Sequence, residues 1–249
     1  MYIERQKTDI RIKKHKSKII LLIMILLCVV TFIIIFKTDI LMIRGVEIYG
    51  NEHLTKEDIM PSVESTIGFN IFKVKMDSIS ANLLANPYIK TASVNRKLPN
   101  KLMIRISERK EAAVVPFMGT FLIIDEEGVV LKSDIQAPGL QTINGLEFSN
   151  FMEGEVLHVS DQEQLTKALL LAKSMKNINE DIREIDVTNK MNMIIRFSNG
   201  LSCRIGEANN IDYKLQLLGG ILADLASKGI TRGVIDISHD GNPSYSPIE

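Results

Sequence analysis

The stretch Asn86 to Arg109, NPYIKTASVNRKLPNKLMIRISER, decides the fold of the region around it. Asn86-Pro87 closes a helix, because the proline ring drives the residue before it out of the helical region. Ile89 to Arg96 then reads as a strand with Ile89, Ala92 and Val94 as its apolar positions. Leu98-Pro99-Asn100 makes a turn, and Lys101 to Glu108 sets Leu102, Ile104 and Ile106 against Met103, Arg105 and Ser107. That alternation has the period of two of a half-buried strand.

Working outward toward the N-terminus, Asp77-Ser78-Ile79-Ser80 opens a helix over about Ser78 to Ala85, with Leu83 and Leu84 near its end. Before it, Thr55 is placed to cap a short helix, with Asp58 three residues on to bond back and acids suiting the positive end of the helix dipole. This helix runs through Pro61 in its first turn or ends soon after, and Gly68-Phe69-Asn70 is a loop. Ile43 to Tyr49 is a strand stopped by Gly50-Asn51. The order is strand, helix, helix, strand, strand, a βααββ unit over residues 41–109.

Further out lies Ile19 to Phe36, a run of Ile, Leu, Val, Met and Phe with no charge and nothing more polar than Thr31 or Cys28. As a helix it would extend roughly 27 Å, slightly short of a typical hydrocarbon core but within the accepted range. A cleaved signal would carry small residues behind its apolar part, whereas Phe36 leads into Lys37-Thr38-Asp39. A retained single span over residues 19–36 is therefore expected, with Ile40 to Ile43 dipping back toward the interface.

Net charge is zero, but only by cancellation. Residues 1–36 hold seven basic side chains against Glu4 and Asp9, 7 − 2 = +5, leaving 23 basic and 28 acidic residues beyond, 23 − 28 = −5. The positive-inside rule keeps the tail 1–18 in the cytoplasm and places about 210 residues outside, a single-pass type II protein, N-in and C-out. The basic tail lacks interleaved aromatics apart from Tyr2, so anionic lipid explains it better than nucleic acid. Cys28 lies in the span and Cys203 stands alone outside, so no disulfide framework is expected, and Cys203 reads as a small buried strand residue.

Residues 110–238 read as a mostly antiparallel β domain with two packed helices. Ala112 to Phe117 and Thr120 to Asp125 are strands, and Asp125-Glu126-Glu127-Gly128 turns into Val129-Val130-Leu131 to make a hairpin. Gly139 to Phe151 is loop with a short strand. Ser160-Asp161-Gln162-Glu163 reads as a capping box opening a helix whose face is Leu165, Leu169, Ala172 and Met175. Strands follow at Ile182 to Val187, Met191 to Phe197 and Leu201 to Ile205, the last two joined through Asn199-Gly200. Asn209 or Asn210 caps a helix carrying Ile211, Leu215, Leu218, Leu222 and Leu225, and Gly229 stops it. Gly233 to Ser238 is the final strand. Residues 239–249 are expected to be a flexible tail.

Convergent reactive groups are scarce. His15, His53, His158 and His239 are isolated, no pair has metal-ligand spacing, and no nucleophile-elbow, zincin or phosphate-loop motif occurs. Asp125, Glu126 and Glu127 cluster at a turn, where solvated charge is the usual reading. No enzyme, cofactor, metal or small-molecule substrate is expected. The final strand is the better candidate: at a sheet edge its free N–H and C=O groups would accept a strand from a partner, and in a central position it would not.

These residues carry a resemblance. RGVEIYGNEHLTKEDI (44–59), GFNIFKVKMDSISANLLANPYIKTASVNRKLPNKLMIRISER (68–109) and FLIIDEEGVVL (121–131) resemble the FtsQ/DivIB family of bacterial cell-division proteins, the first unit being similar to an FtsQ-type POTRA domain. The resemblance implies a bitopic scaffold at the division septum that binds FtsL-like and FtsB/DivIC-like partners and helps control septal peptidoglycan synthesis. By position it places partner binding at Thr231, Val234, Ile235, Asp236 and Ile237, with Leu222 and Leu225 in support. The alternatives are a POTRA-bearing transport or secretion accessory, though no second βααββ copy is found, and an extracytoplasmic enzyme of unrecognised type.

Overall fold

A computed structural model of the chain describes residues 18–33, 39–137, 139–175, 182–207, 209–239 and 242–248. The basic tail up to residue 17 and the end of the expected span, Ile34 to Phe36, lie outside the described residues. Residues 18–33 form helix α1 with every side chain exposed. Among the described residues no helix is long and apolar enough to cross a membrane. Beyond α1 the chain divides into two compact units, residues up to Leu83 with Thr91–Ser107, and Leu84–Lys90 with Glu108–Glu249.

The first unit follows the βααββ order with one refinement. After a 3₁₀ turn at Asp39–Leu41 come β1 (Gly45–Tyr49), α2 (Lys56–Ile59), α3 (Pro61–Glu64), α4 (Met76–Leu84), β2 (Ile89–Lys97) and β3 (Lys101–Glu108). The first expected helix is thus two short turns, with Met60 between them and Pro61 opening the second, where its missing N–H costs nothing. Thr55 and Asp58 form the reciprocal cap: the Asp58 N–H donates to Thr55 Oγ1 at 3.3 Å and the Thr55 N–H to Asp58 Oδ2 at 2.8 Å. The sheet order is β1-β3-β2, and β1 runs parallel to β3 with Gly45 beside Lys101 and Tyr49 beside Arg105. Ile59, Val63, Ile79, Leu83, Leu102 and Ile104 fill its core, each no more than 1 % exposed.

The segment Ile40 to Ile43, expected to dip toward the interface, is divided: Ile40 and Met42 are exposed, whereas Leu41 is 6 % exposed and Ile43 is fully buried. The backbone ties this segment to the loop beside it, since the Ile71 N–H donates to Leu41 O and the Ile43 N–H to Phe69 O, both at 2.9 Å, which turns Leu41 and Ile43 to the core.

The second unit is built on a nine-stranded sheet of order β12-β11-β10-β9-β8-β7-β4-β5-β6. Its strands are β4 (Glu111–Phe117), β5 (Thr120–Asp125), β6 (Val130–Asp134), β7 (Thr142–Asn144), β8 (Ile182–Asp186), β9 (Met193–Phe197), β10 (Leu201–Gly206), β11 (Gly233–Asp236) and β12 (Ser244–Ser246). Pairing is mostly antiparallel, with parallel contacts at β4–β7, β7–β8 and β10–β11. Helices α5 (Gln162–Ser174) and α6 (Ile211–Ser227) share one apolar core with the sheet. All five stripe residues of α6, from Ile211 to Leu225, are buried there. Burial of each fully enclosed Ile or Leu contributes about 2–3 kcal/mol.

Local chemistry differs from expectation at three places. Asp161, not Ser160, caps α5, accepting from the N–H groups of Glu163 and Gln164. Asn210 precedes α6 in the left-handed region, φ 51°, with no side-chain cap. Lys214 Nζ secures that turn instead by donating to Ile205 O at 2.8 Å and Glu207 O at 3.0 Å. Asp125 is not a solvated turn acid: it is 2 % exposed, accepts the Val129 N–H at 2.9 Å and is bridged by Arg109 Nη1 at 2.6 Å. A carboxylate at that depth needs such partners.

Candidate protein-binding edge

The sheet closes where β10, α6, β11 and β12 meet. Parallel strands require a crossover, and α6 supplies it between Gly206 and Gly233. β11 pairs with β10 in register Leu201–Gly233 through Arg204–Asp236. The expected final strand is therefore present, but it is not the edge. β12 lies antiparallel along its other side, with Val234 opposite Ser246, Ile235 opposite Tyr245 and Asp236 opposite Ser244. The segment expected to be a tail returns to the sheet, and the outermost strand is Ser244-Tyr245-Ser246.

A shaped seat holds it. Gly233 has φ +141°, and a Cβ there would stand 2.5 Å from Tyr245 Cε2 and 2.8 Å from Ser246 O. Only glycine leaves room for the ring. Tyr245 packs partly buried against the core edge and its hydroxyl donates to Arg232 O at 2.6 Å.

The residues singled out from sequence divide by the pleat. Ile235 and Ile237 are 0 % and 2 % exposed, and Leu222 and Leu225 are each 4 % exposed, all in the shared core. Their side chains lie in the core beneath the edge. Val234 and Asp236 point to the opposite face and are partly exposed, while Thr231 is exposed just before β11. Burial works against ionisation of Asp236, but the Ser238 hydroxyl at 2.7 Å and N–H at 3.0 Å outweigh it and hold the carboxyl below its ordinary value. Arg204 Nη1 stands 3.8 Å from Asp236 Oδ2. Further along this face Arg196 binds both Glu184 and Asp186, the latter at 3.2 Å. The face beside the edge is thus a row of alternating charge with Val234 and the two serines of β12 at its end.

Reactive chemistry is not assembled here. Cys203 is fully buried, and burial pushes its thiol up to about 12, far from a usable thiolate. Among the described residues no group of His, Cys, Asp and Glu is arranged to hold a metal ion.

Tyr245 and Gly233 were not singled out in the sequence. The alternation Ser-Tyr-Ser is strand-like, but Pro243 and Pro247 bracket it and mask the signal.

Comparison with known proteins agrees with both units. Residues 41–109 match the POTRA domain, FtsQ-type, and residues 113–238 match the C-terminal part of cell division protein FtsQ/DivIB. Cell division protein DivIB of Clostridium botulinum is 30% identical over 242 residues, covering 95% of this chain and 94% of that protein. DivIB of Clostridium tetani is 30% identical over 224 residues, covering 88% and 84%. A solved structure of the major extracytoplasmic domain of DivIB from Geobacillus stearothermophilus aligns with TM-score 0.32 at 18% identity, over 49% of this chain and 97% of that one. The chain belongs to the FtsQ/DivIB family of cell division proteins.

Proposed function

We propose that the protein is a non-catalytic scaffold of the division septum. Residues 19–36 anchor it in the cytoplasmic membrane with the N-terminus inside, and its first unit helps recruit it. The β11–β12 end of the second unit binds FtsL-like and FtsB/DivIC-like bitopic partners, through which it helps control septal peptidoglycan synthesis. One observation carries the binding site: a nine-stranded sheet ends in a three-residue strand whose outer N–H and C=O groups continue the ladder. A partner strand added there gains main-chain hydrogen bonds, and the alternating faces fix its register. Thr231, Val234 and Asp236 lie within its reach, and Ile235, Ile237, Leu222 and Leu225 hold the platform.

The test is photocrosslinking in intact cells. A photoreactive residue at Ser244 or Ser246, both exposed, is expected to capture a small bitopic division protein, and one at Ser133 on the exposed end of β6 is not. Capture from Ser133 with none from Ser244 or Ser246 overturns the site. Ile235→Pro is unsuitable, because Ile235 is buried and paired on both sides, so it would report on folding before binding.

A further inference from the structure

We infer that the first unit carries a lipid-interface site: the exposed side chains of Ile40, Met42, Ile67, Phe69 and Phe72 rest in the headgroup layer of the membrane, with Lys73 and Lys75 on its anionic phosphates. The inference rests on the reading of residues 19–36 as an anchor.

Exposure is the first observation. Phe69 is 60 % exposed, Ile40 59 %, Phe72 47 %, Ile67 38 % and Met42 36 %. The other large apolar residues exposed in the described part of this βααββ fold, Tyr49, Leu84 and Leu98, stand apart in sequence. Five such side chains on two joined segments exceed the scattered exposure usual for a soluble surface.

These side chains are held on a fixed platform. Residues 40–43 and 67–72 are tied by backbone hydrogen bonds from Gly68 to Ile43, Ile43 to Phe69 and Ile71 to Leu41, each 2.9 Å. Between the exposed residues, Leu41, Ile43 and Ile71 are driven into the core. Arg96 locks the loop from the other side, its Nε donating to Ile71 O at 2.8 Å and Nη2 to Val74 O at 3.0 Å, with the guanidinium 5.9 Å from the Phe72 ring centre. Phe72 is therefore presented, half covered by a cation, and does not collapse inward.

Two further observations choose lipid over a protein partner. Five residues separate the last described residue of α1 from Asp39, so the platform stays within roughly 20 Å of the helix end. From Ile67 to Lys75 the chain carries Lys73 and Lys75, both exposed, and no acid. Aromatic rings at headgroup depth with flanking lysines over anionic lipid are the chemistry of a membrane interface.

The chain contains no tryptophan, so single Trp reporters are unambiguous. The full chain is reconstituted into vesicles of phosphatidylcholine and phosphatidylglycerol whose acyl chains carry bromine just below the headgroups or near the bilayer centre. Phe69→Trp is expected to shift to the blue and lose most of its emission to the shallow bromines. Leu27→Trp should lose its emission to the deep ones, and Tyr213→Trp, exposed on α6, to neither. Adding Lys73→Glu and Lys75→Glu should restore Phe69→Trp emission and leave Leu27→Trp unchanged. Quenching of Leu27→Trp with Phe69→Trp unquenched and open to aqueous iodide overturns the site and leaves the anchor standing. Phe69→Trp shielded from iodide but unquenched by lipid also overturns it, in favour of a second copy of the chain. An unquenched Leu27→Trp refutes the anchor, and Phe69→Trp quenching then decides the interface site alone.

Discussion

The two units solve the same problem, the open flank of a sheet, by different means. In the first unit β1 and β2 flank β3, and among the described residues no strand lies beyond them. β1 is five residues long, and β2 carries Lys90, Arg96 and Lys97, charges that oppose the approach of another strand. Glu47 on β1 gathers two cations, Lys97 at 2.6 Å and Lys101 at 3.0 Å. In the second unit the flank beyond β11 is covered by a short strand of the same chain, anchored through one tyrosine. Charge protects an edge permanently, whereas a three-residue strand protects it only while it stays in place. The second unit's flank therefore depends on a local contact that the first unit's does not need.

The comparison is broken most forcefully in the core. Ile195→Ala empties a fully buried site between β8 and β10 and is expected to destabilise the second unit by about 3 kcal/mol. Hydrogen exchange should show protection lost across β8 to β11 while β1 to β3 keep theirs. Equal loss in both sheets would mean that the units do not melt separately. A smaller effect is expected from Tyr245→Ala, which removes the anchor of β12 at a cost of about 1 kcal/mol, largely local. Amide exchange in β11 should quicken with the melting temperature nearly unchanged, and a large fall in melting temperature would show β12 to be structural.

The smallest effect concerns the first unit's charged flank. Hydrogen bonds from Lys97 and then Lys101 lower the Glu47 carboxyl to about 2 from an ordinary 4.5. A carboxyl depressed by folding contributes stability that is complete above its unfolded value and fades as pH falls through its folded one. Melting of the first unit between pH 5 and pH 2 should therefore steepen with acid, and Glu47→Gln should flatten that slope, modestly because the group is exposed. No change of slope would show that the pair is decorative.

Periodicity and capping were readable where the chain neighbours itself. The alternation of Leu102, Ile104 and Ile106 and the stripe from Ile211 to Leu225 are satisfied by one face each, and their burial follows. What the sequence concealed depends on distant partners. Asp125 reads as a turn acid until Arg109, sixteen residues earlier, comes to lie beside it. Asn210 reads as a cap, but it sits in the left-handed region with no side-chain cap, and the turn before it is held by Lys214 donating to the carbonyls of Ile205 and Glu207. β12 is the clearest case, since three residues between prolines carry too little pattern to announce a strand, and only the gap over Gly233 makes a place for Tyr245. For the candidate edge, the strand at Gly233 to Asp236 was legible, but neither the strand beyond it nor which side chains face outward was. The pleat sends Ile235 and Ile237 inward and leaves Val234 and Asp236 on the open face.

The crossover through α6 has a temporal consequence. β10 and β11 are joined through a 17-residue helix, so their pairing is a non-local contact of the kind that slows folding. The link from β11 to β12 spans only residues 237–243, so its closure entropy is small, and so is the number of bonds that hold it. A contact of that kind is expected to open locally at a lower free energy than the sheet it rests on. The last strand to join the sheet is thus the first expected to leave it, and amide exchange at Ser244 to Ser246 should run ahead of that in β9 and β10.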